Sequence, residues 1–192
     1  LNGHLTTKDY DKNFDDTTLP EVEVVIPTLN EEASIGEVIR ETRRLSVMLP
    51  VRVSILVVDG GSTDETFQVC KRENIKFIKQ IGKGKGSAMR QAAEASKADI
   101  LVFIDGDGTY SPSDLELMLR PLLNGTADMV VGSRTIGKRD KGSLSKFNKL
   151  GNRLFNKSIN FALGSSVSDS LSGYRAMYRK TFDNLILFSD KF

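Results

Sequence analysis

The stretch Ile100-Leu101-Val102-Phe103-Ile104-Asp105-Gly106-Asp107 is an unbroken apolar run that stops at a charge. A run so short, with no polar alternation, reads as a strand buried on both faces, and the acidic residues mark where it leaves the core. The same design recurs on either side of it. Val22-Glu23-Val24-Val25-Ile26 stops at Pro27, and Val51 to Val58 stops at Asp59-Gly60-Gly61-Ser62. Ile75-Lys76-Phe77-Ile78 and Asp128-Met129-Val130-Val131 are further strands, and Tyr174 to Tyr178 reads as a short strand running into a helix. Between the strands lie helical patterns. Ile35, Val38, Ile39 and Leu45 make one apolar stripe, with Asn30 or Ser34 as its cap, and Asp64 caps a helix running to Arg72. Gly82 to Gly86 opens a helix carrying Ala88, Met89, Ala92, Ala93 and Ala95, while Ser111 caps a helix from Ser113 to Leu123 with Pro112 at its first position. Strand and helix alternate throughout, which predicts an α/β domain: a doubly wound, mostly parallel sheet flanked by helices.

Composition limits the chemistry. The chain has 192 residues, a single cysteine (Cys70) and a single histidine (His4, in a polar tail). An internal disulfide, a cysteine-based zinc cluster and a histidine-centred triad are therefore excluded, and the lone thiol fits a reducing compartment. Carboxylates, Lys and Arg, hydroxyls and backbone amides remain. Residues 1–20 read as a flexible polar leader without the apolar core of a signal peptide, and 21–192 as one domain. No apolar run is long enough to span a bilayer. The net charge is only +2, yet residues 134–157 hold eight basic residues and one acid, with Phe147, Leu150, Leu154 and Phe155 interleaved at roughly helical spacing over Ser145 to Leu163. Such a segment suits an anionic membrane surface, and it equally suits packing on the sheet. No recognition motif or aromatic platform points to nucleic acid.

Ligands of open α/β sheets bind outside the carboxyl ends of the strands, so three strand-end clusters are expected to share one crevice: residues 27–31, 59–64 and 105–107. Asp105 and Asp107, separated by a glycine, would repel one another unless a divalent cation sat between them. Mg²⁺ suits one or two carboxylates plus phosphate oxygens. The Gly82-Lys83-Gly84-Lys85-Gly86-Ser87 loop offers backbone amides to an anion at a helix N-terminus, although its spacing is neither a P-loop nor a dinucleotide fingerprint.

In order and content, Val25-Ile26-Pro27-Thr28-Leu29-Asn30-Glu31-Glu32, Val57-Val58-Asp59-Gly60-Gly61-Ser62-Thr63-Asp64, Gly84-Lys85-Gly86 and Asp105-Gly106-Asp107 resemble the motifs of family 2 glycosyltransferases. Gly132-Ser133-Arg134 and Asp169-Ser170-Leu171-Ser172-Gly173-Tyr174-Arg175 resemble one branch, the dolichol-phosphate mannose synthases and related polyprenyl-phosphate sugar transferases. The resemblance runs from about Val22 to Tyr178. It implies a GT-A (Rossmann-like) catalytic domain, a UDP- or GDP-sugar donor, and Mg²⁺ or Mn²⁺. By the same resemblance Pro27, Leu29, Glu31 and Asp59 hold the nucleoside, Lys85 and Gly86 lie beside base or ribose, and Asp105 with Gly106 contacts ribose and diphosphate. Asp105 and Asp107 take the metal, Asp107 foremost. Arg134 grips a phosphate, and Asp169 with the Ser172-Gly173 turn borders the sugar.

One departure stands out: where mannose synthases carry a metal-binding glutamine two residues past the second aspartate, this chain has Thr109, which tilts the donor towards UDP. The implied reaction is inverting transfer to a polyprenyl or dolichyl phosphate, an acceptor already ionised and needing no general base. The alternatives are a hydroxyl acceptor, as in the glucosyl-phosphoglycerate synthases, a nucleotidyltransferase on a related fold, or a non-catalytic nucleotide-sugar binder. The expected location is cytoplasmic, peripheral on the cytoplasmic face of a membrane. The sequence starts at a residue other than Met and stops at Phe192 partway into an apparent helix, which fits a piece of a longer protein with anchors outside it.

Overall fold

A computed structural model describes residues 19–133 and 172–185. Residues 1–18 of the leader, the basic segment 134–157, the expected helix over Ser145 to Leu163, Arg134 and Asp169 lie outside the described residues, whereas Pro20 is buried and its carbonyl accepts the Arg52 N–H.

The elements are β1 (Glu21–Thr28), α1 (Ile35–Ser46), β2 (Arg52–Asp59), α2 (Thr66–Arg72), β3 (Lys76–Lys79), α3 (Lys85–Ala95), β4 (Ile100–Phe103), α4 (Leu115–Leu123), β5 (Met129–Val131), β6 (Arg175–Tyr178) and α5 (Arg179–Asp183). They match the sequence pattern closely, with small differences of cause. Ser111 caps as expected, its side chain accepting the Ser113 N–H, but the first turn from Pro112 to Asp114 is 3₁₀ and the α-helix proper begins at Leu115. Ser34 stands at the N-cap of α1 without bonding the helix amides, because its hydroxyl is drawn 2.7 Å to the carbonyl of Gly106.

The strands form one sheet in the order β3-β2-β1-β4-β6-β5. β1, β2, β3 and β4 run parallel, whereas β6 lies antiparallel to both β4 and β5. The tail strand is thus an interior strand, a placement that its local pattern could not reveal. Alternate residues of β1 face opposite cores. Val22, Val24 and Ile26 join Ile35, Val38, Ile39, Leu119 and Leu122 on one face. Val25 joins Ala88, Ala92, Phe103 and Phe182 on the other. Covering on both faces is what makes the strands read as continuous apolar runs. The register sets Thr28 opposite Asp59 and Val25 opposite Phe103, so the carboxyl ends of β1, β2 and β4 emerge side by side.

Candidate active site

The first two strand-end loops are stitched together. The Asn30 N–H donates to Ser62 Oγ (2.9 Å), and the Thr63 N–H donates back to Asn30 Oδ1 (2.8 Å). The Glu31 N–H donates to Thr66 Oγ1 (2.9 Å) and the Glu32 N–H to Asp64 Oδ2 (3.1 Å), while Glu32 Oε2 accepts from the Glu65 N–H (2.7 Å). The N-cap of α2 is Glu65 rather than the expected Asp64, whose carboxylate accepts from the amide and hydroxyl of Thr66 and from the Glu32 amide and so clamps the two loops. Asn30 reaches this geometry at φ = 57°, a left-handed conformation that asparagine tolerates better than most residues.

Asp59 is buried, and its carboxylate is spent on its own loop, accepting from the amides of Gly61 and Ser62 and from the Ser62 hydroxyl. The neighbouring Gly60, rather than Asp59, faces the crevice. A Cβ at Gly60 would stand 3.3 Å from the Thr28 carbonyl and 3.4 Å from Gln80 Oε1.

The third loop closes over the first. Gly106 lies on Thr28, Glu31 and Ile35. Asp107 is exposed at the rim, with Oδ1 accepting the Thr109 N–H (2.8 Å), so the residue that departs from the mannose-synthase pattern braces the aspartate through its backbone. The glycine-rich loop adds the far wall. Gly82 and Gly84 adopt positive φ (86° and 84°), turning the chain so that Lys85 begins α3 and its ammonium pairs with the Asp105 carboxylate. Gln80 Nε2 donates to the Gly84 carbonyl (2.9 Å) and holds that turn. On the other side of the ion pair is Gly173, whose α-carbon abuts both Asp105 and Lys85.

Together these loops enclose a cavity of about 420 Å³ lined by Pro27, Thr28, Leu29, Glu31, Gly60, Gln80, Gly82 to Lys85 and Asp105. Two polar atoms of lining residues, Thr28 Oγ1 and Glu31 Oε2, are buried beneath the surface with no hydrogen-bond partner. A buried hydroxyl and a buried carboxylate oxygen left unpaired are costly. Burial first, then the charges of Asp107 and Asp105, push the Glu31 carboxyl up from 4.5 to about 7, with Lys85 acting in the opposite direction.

Of the residues expected from sequence, the structure brings Pro27, Leu29, Glu31, Lys85 and Asp105 to the cavity wall, with Gly106 beneath Glu31 and Asp107 at the rim. Gly86 is in the first turn of α3, away from that wall. Thr28, Gln80 and Tyr110 escaped the sequence reading. Thr28 sits inside a quoted motif and its hydroxyl side chain was the available signal; Gln80 follows β3 and carried none. Among the described residues no group of three or more His, Cys, Asp or Glu side chains is arranged to hold an ion. The oxygen donors present are Asp107, exposed at the rim, and Asp105, which is paired with Lys85; a hard divalent cation held by them would take its remaining oxygens from phosphate and water. No helix among the described residues is long and apolar enough to cross a membrane.

The family model for glycosyl transferase family 2 matches residues 23–186. Glycosyltransferase AglJ of Haloferax volcanii is 38% identical over 170 residues, covering 88% of this chain and 54% of that protein. A UDP-N-acetylglucosamine--dolichyl-phosphate N-acetylglucosaminyltransferase of Methanococcus voltae is 31% identical over 176 residues, covering 80% of this chain and 67% of that protein. Among solved structures, glucosyl-3-phosphoglycerate synthase from Mycobacterium tuberculosis, in complex with Mn²⁺, UDP-glucose and phosphoglyceric acid, superimposes with a TM-score of 0.66 at 27% identity. That match covers 84% of this chain and 57% of the synthase. The chain spans about half the length of AglJ and of the synthase. Its mixed six-stranded sheet is the GT-A fold of such transferases. With motif order, sheet order and family match in agreement, this chain belongs to glycosyl transferase family 2.

Proposed function

We propose that this chain is the catalytic part of a metal-dependent inverting transferase that moves a sugar from a UDP-sugar to a polyprenyl or dolichyl phosphate. The observation that carries the donor half is the cavity of about 420 Å³ on which the ends of β1, β2 and β4 converge, lined by Pro27, Leu29, Gly60, Lys85 and Asp105. The glycines in that wall, Gly60, Gly82 and Gly84, let a ribose and a base come close to the backbone. Asp105 and Asp107 would hold Mg²⁺ or Mn²⁺, which when bound supplies Lewis-acid stabilisation of the departing diphosphate. The acceptor oxygen forms its bond to the anomeric carbon on the side opposite that diphosphate, and Arg134 and Asp169 serve as phosphate clamp and sugar border. A relative named as acting on dolichyl phosphate with a UDP-linked sugar supports both the lipid acceptor and the uracil base. The basic segment 134–157 fits a peripheral position on the cytoplasmic face of an anionic membrane.

A hydroxyl acceptor is the second reading, favoured by the similarity to a synthase solved with phosphoglyceric acid. Incubating the protein with UDP- and GDP-sugars and Mn²⁺, against dolichyl phosphate in one arm and 3-phosphoglycerate in the other, separates the two. Transfer to the lipid phosphate is the expected result, and transfer to phosphoglycerate alone overturns the acceptor assignment. Donor turnover that persists undiminished in Asp107→Ala overturns the metal role.

A further inference from the structure

We propose that Tyr110 is a positioning residue. Its phenol oxygen holds the Ser172-Gly173 turn against Asp105 and thereby fixes a carboxylate that would help hold a divalent cation. The inference rests on the nucleotide-sugar reading above.

Tyr110 follows an exposed loop, residues 107–109, yet is itself only 8% exposed. Its oxygen accepts the Gly173 N–H at 2.9 Å and the Ser172 hydroxyl at 3.0 Å. Two donors from one turn therefore converge on a side chain anchored in the loop that carries the aspartates. The turn in turn presses on the site. The α-carbon of Gly173 is so close to the Asp105 carboxylate and the Lys85 ammonium that a Cβ there would overlap both. Asp105 is thus held between a cation on one side and a backbone wall on the other, and Tyr110 sets where that wall stands.

The Tyr110 ring also meets Tyr174 edge-on, with centroids 5.7 Å apart at 66°. The Tyr174 carbonyl accepts the Gly132 N–H at 2.9 Å, and Gly132 packs against the Tyr174 ring and Cβ. One aromatic pair therefore connects the Asp-Gly-Asp loop to the turn before β6 and to the end of β5. Removing only the hydroxyl leaves the Gly173 N–H without its acceptor, while ring packing persists. The turn then relaxes, and the position of Asp105 relaxes with it. Groups that orient metal-binding carboxylates from one step away commonly cost 10–100-fold in metal affinity when lost.

The test measures UDP and GDP binding calorimetrically to the full chain, with and without Mn²⁺, for the unsubstituted protein, Tyr110→Phe and Ser172→Ala. Tyr110→Phe is expected to lower nucleotide affinity about tenfold with Mn²⁺ and to leave affinity without metal within about twofold. Ser172→Ala, which keeps the Gly173 bond, shifts it in the same direction by about threefold. Unchanged affinity with Mn²⁺, equal loss in both arms, or loss of cooperative unfolding in Tyr110→Phe would each overturn the positioning role. Failure of the unsubstituted chain to bind either nucleotide overturns the nucleotide-sugar reading itself, and this inference with it.

Discussion

The Glu31 carboxylate lies directly on the α-carbon of Gly106, close enough that any side chain at position 106 would overlap its Oε2. Ile35 Cδ1 and Thr28 Cγ2 crowd the same point at 3.1 Å each, so the extra methyl of Gly106→Ala has nowhere to go. The variant is expected to lose about 1–3 kcal/mol of stability, the usual cost of overpacking. Its nucleotide affinity should fall as well, because Glu31 must leave the cavity wall. Thermal unfolding and nucleotide titration of the same preparation check both.

Glu31 makes stability depend on pH. Its carboxyl is raised from 4.5 to about 7 in the folded chain, so between those values the folded state keeps a proton that the unfolded state has released. Its contribution is fully present below about pH 4.5 and is lost as pH rises through about 7. Glu31→Gln removes that dependence. The variant should match the parent near pH 4.5 and exceed it by about 1 kcal/mol at pH 8, allowing for solvent screening of a half-buried group. Urea denaturation at the two pH values measures the difference.

Lys85 and Asp105 form an ion pair in which the side chains remain 34% and 26% exposed. Such a pair contributes little to folding. Lys85→Met is therefore expected to change stability by less than about 1 kcal/mol. It should nonetheless raise the Glu31 pKa further, since Lys85 is the charge that lowers it. A carboxyl titration followed by carbon-13 NMR reads that shift directly.

Asn30 combines a left-handed backbone (φ = 57°) with an acceptor for the Thr63 amide. Asn30→Ala loses the bond and meets the steric penalty, for an expected loss of about 1–2 kcal/mol. Asn30→Gly relieves the backbone while losing the same bond, so it should fall between the parent and the alanine variant in thermal unfolding.

Much of this was legible beforehand, and the pattern of what was missed is physical. β1, β2 and β4 were readable because burial on both faces leaves an unbroken apolar run. The convergence of residues 27–31, 59–64 and 105–107 followed from parallel strands ending level with one another. Periodicity reports only what each element buries, so it could not place β6 between β4 and β5. Hydrogen-bond partners across the fold were equally silent. The Asp59 carboxylate accepts from Gly61 and Ser62 and the Tyr110 hydroxyl from Gly173, partners that no local pattern specifies.

The interior place of β6 bears on how the chain is made. During synthesis β4 emerges with one edge already paired to β1, while its other edge waits for residues 175–178, more than seventy positions later. Until they arrive, an apolar strand has open backbone groups on one side, the condition that invites pairing with a foreign strand. The nascent chain therefore cannot complete its sheet from the amino-terminal end onward. Closing that edge and bringing Ser172-Gly173 to Asp105 both depend on the segment that carries β6, so a fragment ending after Val131 lacks both the edge partner and that wall of the crevice.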